Sequence, residues 1–173
     1  MRRRVATLVA VATLLVGCGG GVEGSPLAAE RWDPCSITPD AIAATGLDPS
    51  YRMEGWGEGI SVPEWASCVF HAPGGVDYSY GLSVMSSIDH TIAEARANSS
   101  NRDGRDLEVG GRDGYMYKTE FGAAIRDCQI ALDVPPGVVV FAALYNTADG
   151  VDACEVVLKH VNDLERAVPG APK

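Results

Sequence analysis

The positions of five cysteines constrain the fold of this chain more than any other feature of its sequence. Cys18 directly follows a short apolar stretch near the N-terminus. The other four, Cys35, Cys68, Cys128 and Cys154, are spread over the rest of the chain. An even number of cysteines in an exported protein indicates disulfide bonds. We therefore expect a small domain after Cys18 that is cross-linked twice.

The first residues have the pattern of a bacterial secretion signal. Three arginines precede an apolar run over residues 5–16, which is too short to span a bilayer, since spanning takes about 20 residues. The end of the run, Leu15-Val16-Gly17-Cys18, resembles a lipobox, which implies removal of residues 1–17 and lipid on the sulfur of Cys18. The alternative is an ordinary cleaved signal that leaves Cys18 free. We expect a protein anchored by lipid at the extracytoplasmic face of the cell membrane.

The chain after the signal divides into a tether and one domain. Residues 18–31 are rich in glycine, contain Pro26 and lack hydrophobic periodicity, which is typical of a flexible tether. A chain of 173 residues suits one domain, which we place at residues 32–169, with a short tail at residues 170–173.

The acidic composition argues against several classes of partner. The chain has 14 basic and 23 acidic residues, for a net charge of −9, and loss of Arg2, Arg3 and Arg4 with the signal makes it −12. Binding of nucleic acid or an anionic lipid surface requires clustered Lys and Arg, so neither is expected. We interpret the acidity as a solubility feature.

Four domain cysteines permit three disulfide connectivities. We favour Cys35–Cys68 and Cys128–Cys154, because these cysteines are neighbours in sequence and each pair would join a helix to a strand. A zinc site is the alternative, but paired C-x-x-C spacing is missing and only His71 lies near a cysteine. No metal and no cofactor are predicted.

Hydrophobic periodicity predicts an α+β fold. Thr38, Pro39 and Asp40 are typical of a helix start. A second helix is expected over residues 87–97 with Asp89 as its cap, and a long final helix over residues 151–168, with Asp149 as a cap and His160 near its polar side. Alternating or apolar runs predict the strands, at residues 65–71, 78–85, 107–109, 114–117, 123–134 and 138–145. Short turns favour an antiparallel sheet of about five to six strands, the last of them central, with helices packed on one face.

A polar segment over residues 98–106 separates the second helix from the next strand. Asn101, Asp103, Gly104 and Asp106 faintly resemble a calcium loop, but the spacing and terminal Glu of an EF-hand are missing. We interpret the segment as a solvated turn.

Motifs that carry catalysis are missing from the sequence, including G-x-S-x-G, H-E-x-x-H and a P-loop. His71, Asp77 and Ser67 could be drawn as a triad, but a chain with 23 acidic residues offers such combinations by chance. We predict that the protein is not an enzyme. A candidate binding surface is instead formed by aromatic residues, namely Trp56, Trp65, Tyr78 and Tyr80, with Tyr115 and Tyr117 as further members.

The ordered set of short motifs resembles a family of small actinobacterial secreted lipoproteins of unknown function, including some mycobacterial Lpr-type proteins. The motifs are Cys18, Asp33-Pro34-Cys35-Ser36, Ala66-Ser67-Cys68-Val69-Phe70, Val109-Gly110-Gly111-Arg112, Cys128 and Cys154. The resemblance covers about residues 31–168 and implies an envelope lipoprotein without an accepted active site.

Three functions from different classes remain open at this point. We favour a monomeric, non-catalytic binding or accessory module for an envelope protein or a small ligand. The alternatives are a hydrolase-like envelope enzyme with a site assembled from scattered residues, and a structural surface lipoprotein whose acylated end matters most.

Overall fold

The computed structural model describes residues 30–119, 127–145 and 151–170. In these ranges the chain forms one antiparallel sheet and three α-helices. The strands are β1 Met53–Glu54, β2 Ala66–His71, β3 Tyr80–Ser87, β4 Asn101–Val109, β5 Arg112–Thr119, β6 Asp127–Val134 and β7 Gly137–Tyr145. The helices are α1 Pro39–Ala44, α2 Ile92–Ala97 and α3 Ala153–Leu164. The predicted fold class is confirmed.

The sheet has the order β1-β2-β3-β7-β6-β5-β4, and every neighbouring pair is antiparallel. β7 lies in the middle, as its apolar run predicts, and its residues from Gly137 to Ala143 are buried. A strand buried on both faces needs such a run rather than alternation. The count of seven exceeds the expected five to six because β1, only two residues long, lies in a segment without strand periodicity.

The two faces of the sheet carry separate hydrophobic clusters, because successive strand residues point to opposite sides. The first face, which includes Phe70, Leu82 and Phe141, packs against α1 and α3. The second face, which includes Ala131 and Val140, packs against α2. The prediction that all helices pack on one face of the sheet is therefore wrong for α2.

The N-terminal caps of the helices follow from short polar side chains. Thr38 Oγ1 accepts a hydrogen bond from Ala41 N at 3.3 Å, as the sequence predicts for α1. In α3 the cap is Asp152, which accepts from Cys154 N at 2.8 Å, and the expected cap Asp149 lies outside the described residues.

The predicted start of the second helix is wrong. Ser87 belongs to β3, and its hydroxyl accepts hydrogen bonds from the backbone N–H groups of Asp89 and His90. The helix begins only at Ile92, because Thr91 and Glu94 form a reciprocal capping box. Asp89 therefore precedes the helix and does not cap it.

The interpretation of residues 98–106 as a turn is also wrong from Asn101 onward, where β4 begins. β4 lies at the edge of the sheet, so most of its side chains are exposed and polar, which hides the alternation that marks a half-buried strand. A register shift between Arg102 and Arg105 disrupts its pairing with β5, and Asp103 there has φ 53°.

The two favoured disulfides are confirmed. Cys35 bonds to Cys68 with a Cα–Cα distance of 5.2 Å, and Cys128 bonds to Cys154 with a Cα–Cα distance of 5.0 Å. The first joins the chain before α1 to β2, and the second joins β6 to α3. Because all four sulfurs are paired, they leave no thiolate for the alternative zinc site. In the described part of the chain no group of metal-ligating side chains comes together.

The prediction that His160 lies near the polar side of α3 is wrong. The residue is 1 % exposed and lies in the core. It lies on the buried stripe with Val157 and Leu164, which are three and four residues away, and next to the buried Val161. The strand predicted from residue 78 begins at Tyr80, and the structure describes β6 from Asp127. The remainder of the strand predicted at residues 123–134 lies outside the described residues. None of the helices described here is long and apolar enough to cross a membrane.

Candidate functional site

A cleft of about 310 Å³ lies between α2 and the second face of the sheet. Its floor is formed by β5, β6 and β7. Its walls are formed by α2, by the residues that precede α2, and by Trp65, which lies directly before β2. The cleft exists because the capping box starts α2 only after the chain has crossed from the end of β3 to the second face.

The polar part of the floor is a fixed hydrogen-bond network. The hydroxyl of Tyr117 donates to Gln129 Oε1 at 3.0 Å. Gln129 Nε2 donates to Thr119 Oγ1 at 2.8 Å and to Asp127 Oδ2 at 2.7 Å, and Asp127 Oδ1 accepts from Thr119 N at 3.1 Å. Burial, then the nearby Asp127 and Tyr115, raises the pKa of Tyr117 to about 12. Tyr117 therefore stays a neutral hydrogen-bond donor.

The apolar part of the floor comes from Val138 and Val140 of β7. Both side chains belong to the hydrophobic cluster of the second face and are buried. The cleft thus combines an apolar surface with polar side chains at fixed positions, which is the usual composition of small-molecule sites.

One wall is a stacked pair of rings, Trp65 and His90, with centroids 5.0 Å apart and planes 14° from parallel. Glu94 Oε2 lies 3.2 Å from His90 Nδ1 and also accepts a hydrogen bond from Thr91 N at 2.8 Å. The Thr91 bond, followed by the His90 bond, lowers the pKa of Glu94 below its ordinary value. An ionised carboxylate therefore orients the imidazole at this wall.

The structure does not gather the four aromatic residues proposed from the sequence. Trp65 lines the cleft, and so does Tyr117 of the further members. Trp56 is half-buried in the loop before β2, and its indole Nε1 has no hydrogen-bond partner in the part of the chain that the structure describes. Tyr80 faces the first side of the sheet, where its hydroxyl lies 2.7 Å from His160 Nε2.

Tyr78 belongs to a second aromatic group, in which His71 is stacked between Tyr51 and Tyr78. The ring centroids are 3.5 and 3.6 Å apart. Burial lowers the pKa of His71, and the carboxylate of Asp48 partly opposes this effect. The charge that acts on His71 is therefore Asp48 and not Asp77, the partner drawn for it in a triad.

The cleft contains residues that the sequence analysis missed. His90, Glu94 and Gln129 were not singled out, because polar residues on a short helix, directly before it and on one strand give no signal until the two elements are packed together. One signal was available, since Thr91-x-x-Glu94 is a capping box and places a carboxylate on the first turn of α2. Cys18 and most of the tether lie outside the described residues.

These features define a class of protein, a single-sheet α+β domain cross-linked by two disulfides, with a ligand-sized cleft on the face opposite its longest helix. The chain belongs to the family described as "Protein of unknown function (DUF3558)", whose model matches residues 13–166. No curated protein and no solved structure matches the chain.

Proposed function

We propose that this protein is a lipid-anchored, non-catalytic binding module of the bacterial cell envelope, and that its ligand is a small molecule held in the cleft. The observation that carries the proposal is the fixed floor of the cleft. Tyr117, Gln129, Thr119 and Asp127 hold one another in place through hydrogen bonds among themselves. A site ordered in advance loses less entropy on binding, which favours affinity.

The proposed anchor rests on residues 1–17 and Cys18, together with the place where the chain enters the domain. Arg31 Nη1 donates a hydrogen bond to Pro63 O, two residues before Trp65. The tether therefore joins the domain near one wall of the cleft. A flexible tether of this length reaches roughly 20 Å, which would hold the cleft close to the membrane surface.

The proposal includes a monomeric domain of the actinobacterial lipoprotein type. Open sheet edges invite pairing between copies, but both edges here are protected in recognised ways. β1 is only two residues long, and β4 carries charged side chains at most positions, including Arg102, Asp106 and Glu108.

Lipidation is tested by growing cells with an alkyne fatty acid and detecting the label on the full-length protein. We expect label on the parent protein and none on Cys18→Ser, because the thioether requires the sulfur of Cys18. Retention of label by the variant would refute the anchor. The label is the readout rather than membrane fractionation, since an uncleaved signal can itself hold the precursor at the membrane.

Binding is tested by native mass spectrometry of the mature protein released from its own envelope in mild detergent. We expect an adduct of small-molecule mass on the parent. Ala95 lines the cleft on α2, so Ala95→Phe should fill the cleft and abolish the adduct. Ala97→Phe is the matched control, since Ala97 is exposed on the same helix and does not line the cleft.

Equal melting temperatures of the two variants would show that any difference comes from the cleft. Absence of an adduct from every form, or its persistence on Ala95→Phe, would refute the proposed site.

A further inference from the structure

The cleft presents an unusual balance of charge for a ligand site. No Lys or Arg lines it within the described ranges of the chain. Arg96, the cation nearest in sequence on α2, is paired with Asp106 at 2.8 Å and lies 3.7 Å from Asp113. Glu94 at the wall and Asp127 behind the floor are both carboxylates. An anionic ligand would find no counter-charge here and would face two like charges.

The cleft offers several hydrogen-bond acceptors with a free lone pair, besides the donor groups of Asn98 and Asn101, whose amides also line it. Both N–H groups of Gln129 are used, whereas its Oε1 accepts one hydrogen bond and has a second lone pair. The Tyr117 hydroxyl donates to Gln129 and keeps its own lone pairs. Glu94 makes its hydrogen bonds through Oε2, which leaves Oε1 as an acceptor. The complementary ligand must supply several O–H or N–H donors.

The rest of the lining is apolar or aromatic. Trp65 with His90 forms one wall, and Val138 and Val140 form part of the floor. A ligand that satisfies both parts has an apolar face and a polar, donor-bearing edge. A sugar ring has this combination, because its C–H groups cluster on one face and its hydroxyls project around the rim, and aromatic rings with polar neighbours suit such ligands.

The volume limits the size of the ligand. About 310 Å³ is at the lower end of the range for small-molecule sites, which runs from roughly 300 to 1,000 Å³. Such a space accommodates one or two sugar rings and excludes the interior of a long polysaccharide unless the chain passes through the open side.

Resting on the proposed function of the cleft as a ligand site, we propose that the cleft between α2 and the second face of the sheet binds an uncharged sugar of one or two rings. The oxygen atoms of Gln129, Tyr117 and Glu94 accept hydrogen bonds from its hydroxyl groups. Its apolar face packs against the Trp65–His90 wall or against the valines of the floor. The absence of cations from the lining selects against phosphorylated and carboxylated sugars.

The test is saturation-transfer NMR with the mature protein, with a panel of methyl glycosides and disaccharides of the neutral hexoses and pentoses at millimolar concentration. Glucuronic acid and glucosamine serve as anionic and cationic comparisons. We expect at least one neutral sugar to bind saturably, with no binding of glucuronic acid. Ala95→Phe should abolish this binding, and Ala97→Phe should leave it unchanged.

A second variant tests the hydrogen-bonding part of the argument. Tyr117→Phe removes one acceptor and should weaken the binding of the sugar by up to about tenfold, since one hydrogen bond contributes at most about a factor of ten. Trp56→Phe is the matched control outside the cleft and should bind normally.

The outcomes distinguish failure of the sugar inference from failure of the cleft as a ligand site. Two results would overturn the inference of an uncharged sugar and leave the cleft as a ligand site. One is an adduct on the native protein that Ala95→Phe removes and that is not a sugar, and the other is preferential binding of glucosamine or glucuronic acid. Lack of binding by every neutral sugar would also overturn the sugar inference. Lack of any adduct that Ala95→Phe removes would overturn the site as well.

Discussion

Acidification should destabilise this protein through one buried side chain, His160. The residue is 1 % exposed, and its Nε2 lies 2.7 Å from the hydroxyl of Tyr80. Its Nδ1 has no partner among the described residues. Burial, followed by the charge of Lys159, lowers the pKa of His160 from 6.5 to about 4, and Asp163 opposes this in part. The folded protein therefore holds this imidazole in its neutral form.

The sign and size of the effect follow from the two pKa values. Because the pKa is lower in the folded state, the unfolded chain binds the proton more readily between pH 6.5 and pH 4. The contribution of the neutral His160 to the free energy of unfolding is complete above pH 6.5 and is lost as the pH falls through this interval. The full shift corresponds to about 3 kcal/mol, of which about 2 kcal/mol is lost between pH 7 and pH 5.

The assay is urea denaturation of the mature protein at several pH values between 7 and 5, for the parent and for His160→Gln. The variant keeps a side-chain acceptor for Tyr80 and cannot take up a proton, so its stability should fall by about 2 kcal/mol less than that of the parent over this range. His90→Gln, a change at the wall of the cleft, is the control and should follow the parent. The reasoning would be refuted if the free energy of unfolding changed equally with pH in the parent and in His160→Gln. It would also be refuted if NMR showed that His160 takes up its proton near pH 6.5.

Three further predictions concern the fold. Replacing the second disulfide by Cys128→Ala with Cys154→Ala should lower the free energy of unfolding by about 3.5 kcal/mol, since the bond closes a loop with a sequence separation of 26. Urea denaturation of the parent and of this variant, both without reductant, measures this, and an unchanged midpoint would contradict it. Gly137→Ala should cost several kcal/mol, because a Cβ there would lie 1.8 Å from Ser87 O; a melting temperature equal to that of the parent would contradict it. Thr91→Ala should cost about 1 kcal/mol by removing a helix cap, with faster amide exchange confined to α2 and its contacts. Uniformly faster exchange would assign Thr91 a role in global stability instead.

The elements that could be predicted from sequence are those with a local chemical cause. The start of α1 follows from Thr38 and Pro39, and the central strand β7 follows from its unbroken apolar run. The disulfide pairing followed from proximity in sequence and from helix-to-strand joining. For α1 and β7 the decisive residues lie within the element or directly before it, so no knowledge of the tertiary packing was needed. The cysteines of each disulfide lie in elements that are not adjacent in sequence, and their pairing was predicted from their order along the chain.

The errors have a common origin in tertiary context. Only residues 107–109 of β4 were predicted as a strand, and its first part was interpreted as a turn, because an edge strand forms by pairing with β5 and needs no apolar alternation of its own. His160 was placed in solvent because a histidine is polar, although its position in the helix matches the buried stripe. The cleft was missed for the same reason. It depends on α2 crossing to the second face, and the short sequence between Ser87 and Ile92 does not specify which face a following helix will cover.

The division of the sheet into two faces allows stability and binding to be separated by experiment. Both disulfides, α1 and α3 act on the first face, whereas the cleft lies on the second. Central strand β7 is the element shared by both, since Phe141 packs on the first face and Val140 lines the cleft. Changes confined to the first face should therefore lower stability while the folded fraction keeps its affinity, whereas Tyr117→Phe should weaken binding by the folded protein itself. A variant of the first face that lost affinity while fully folded would mean that the two faces are coupled through β7, and that the cleft is not an independent site.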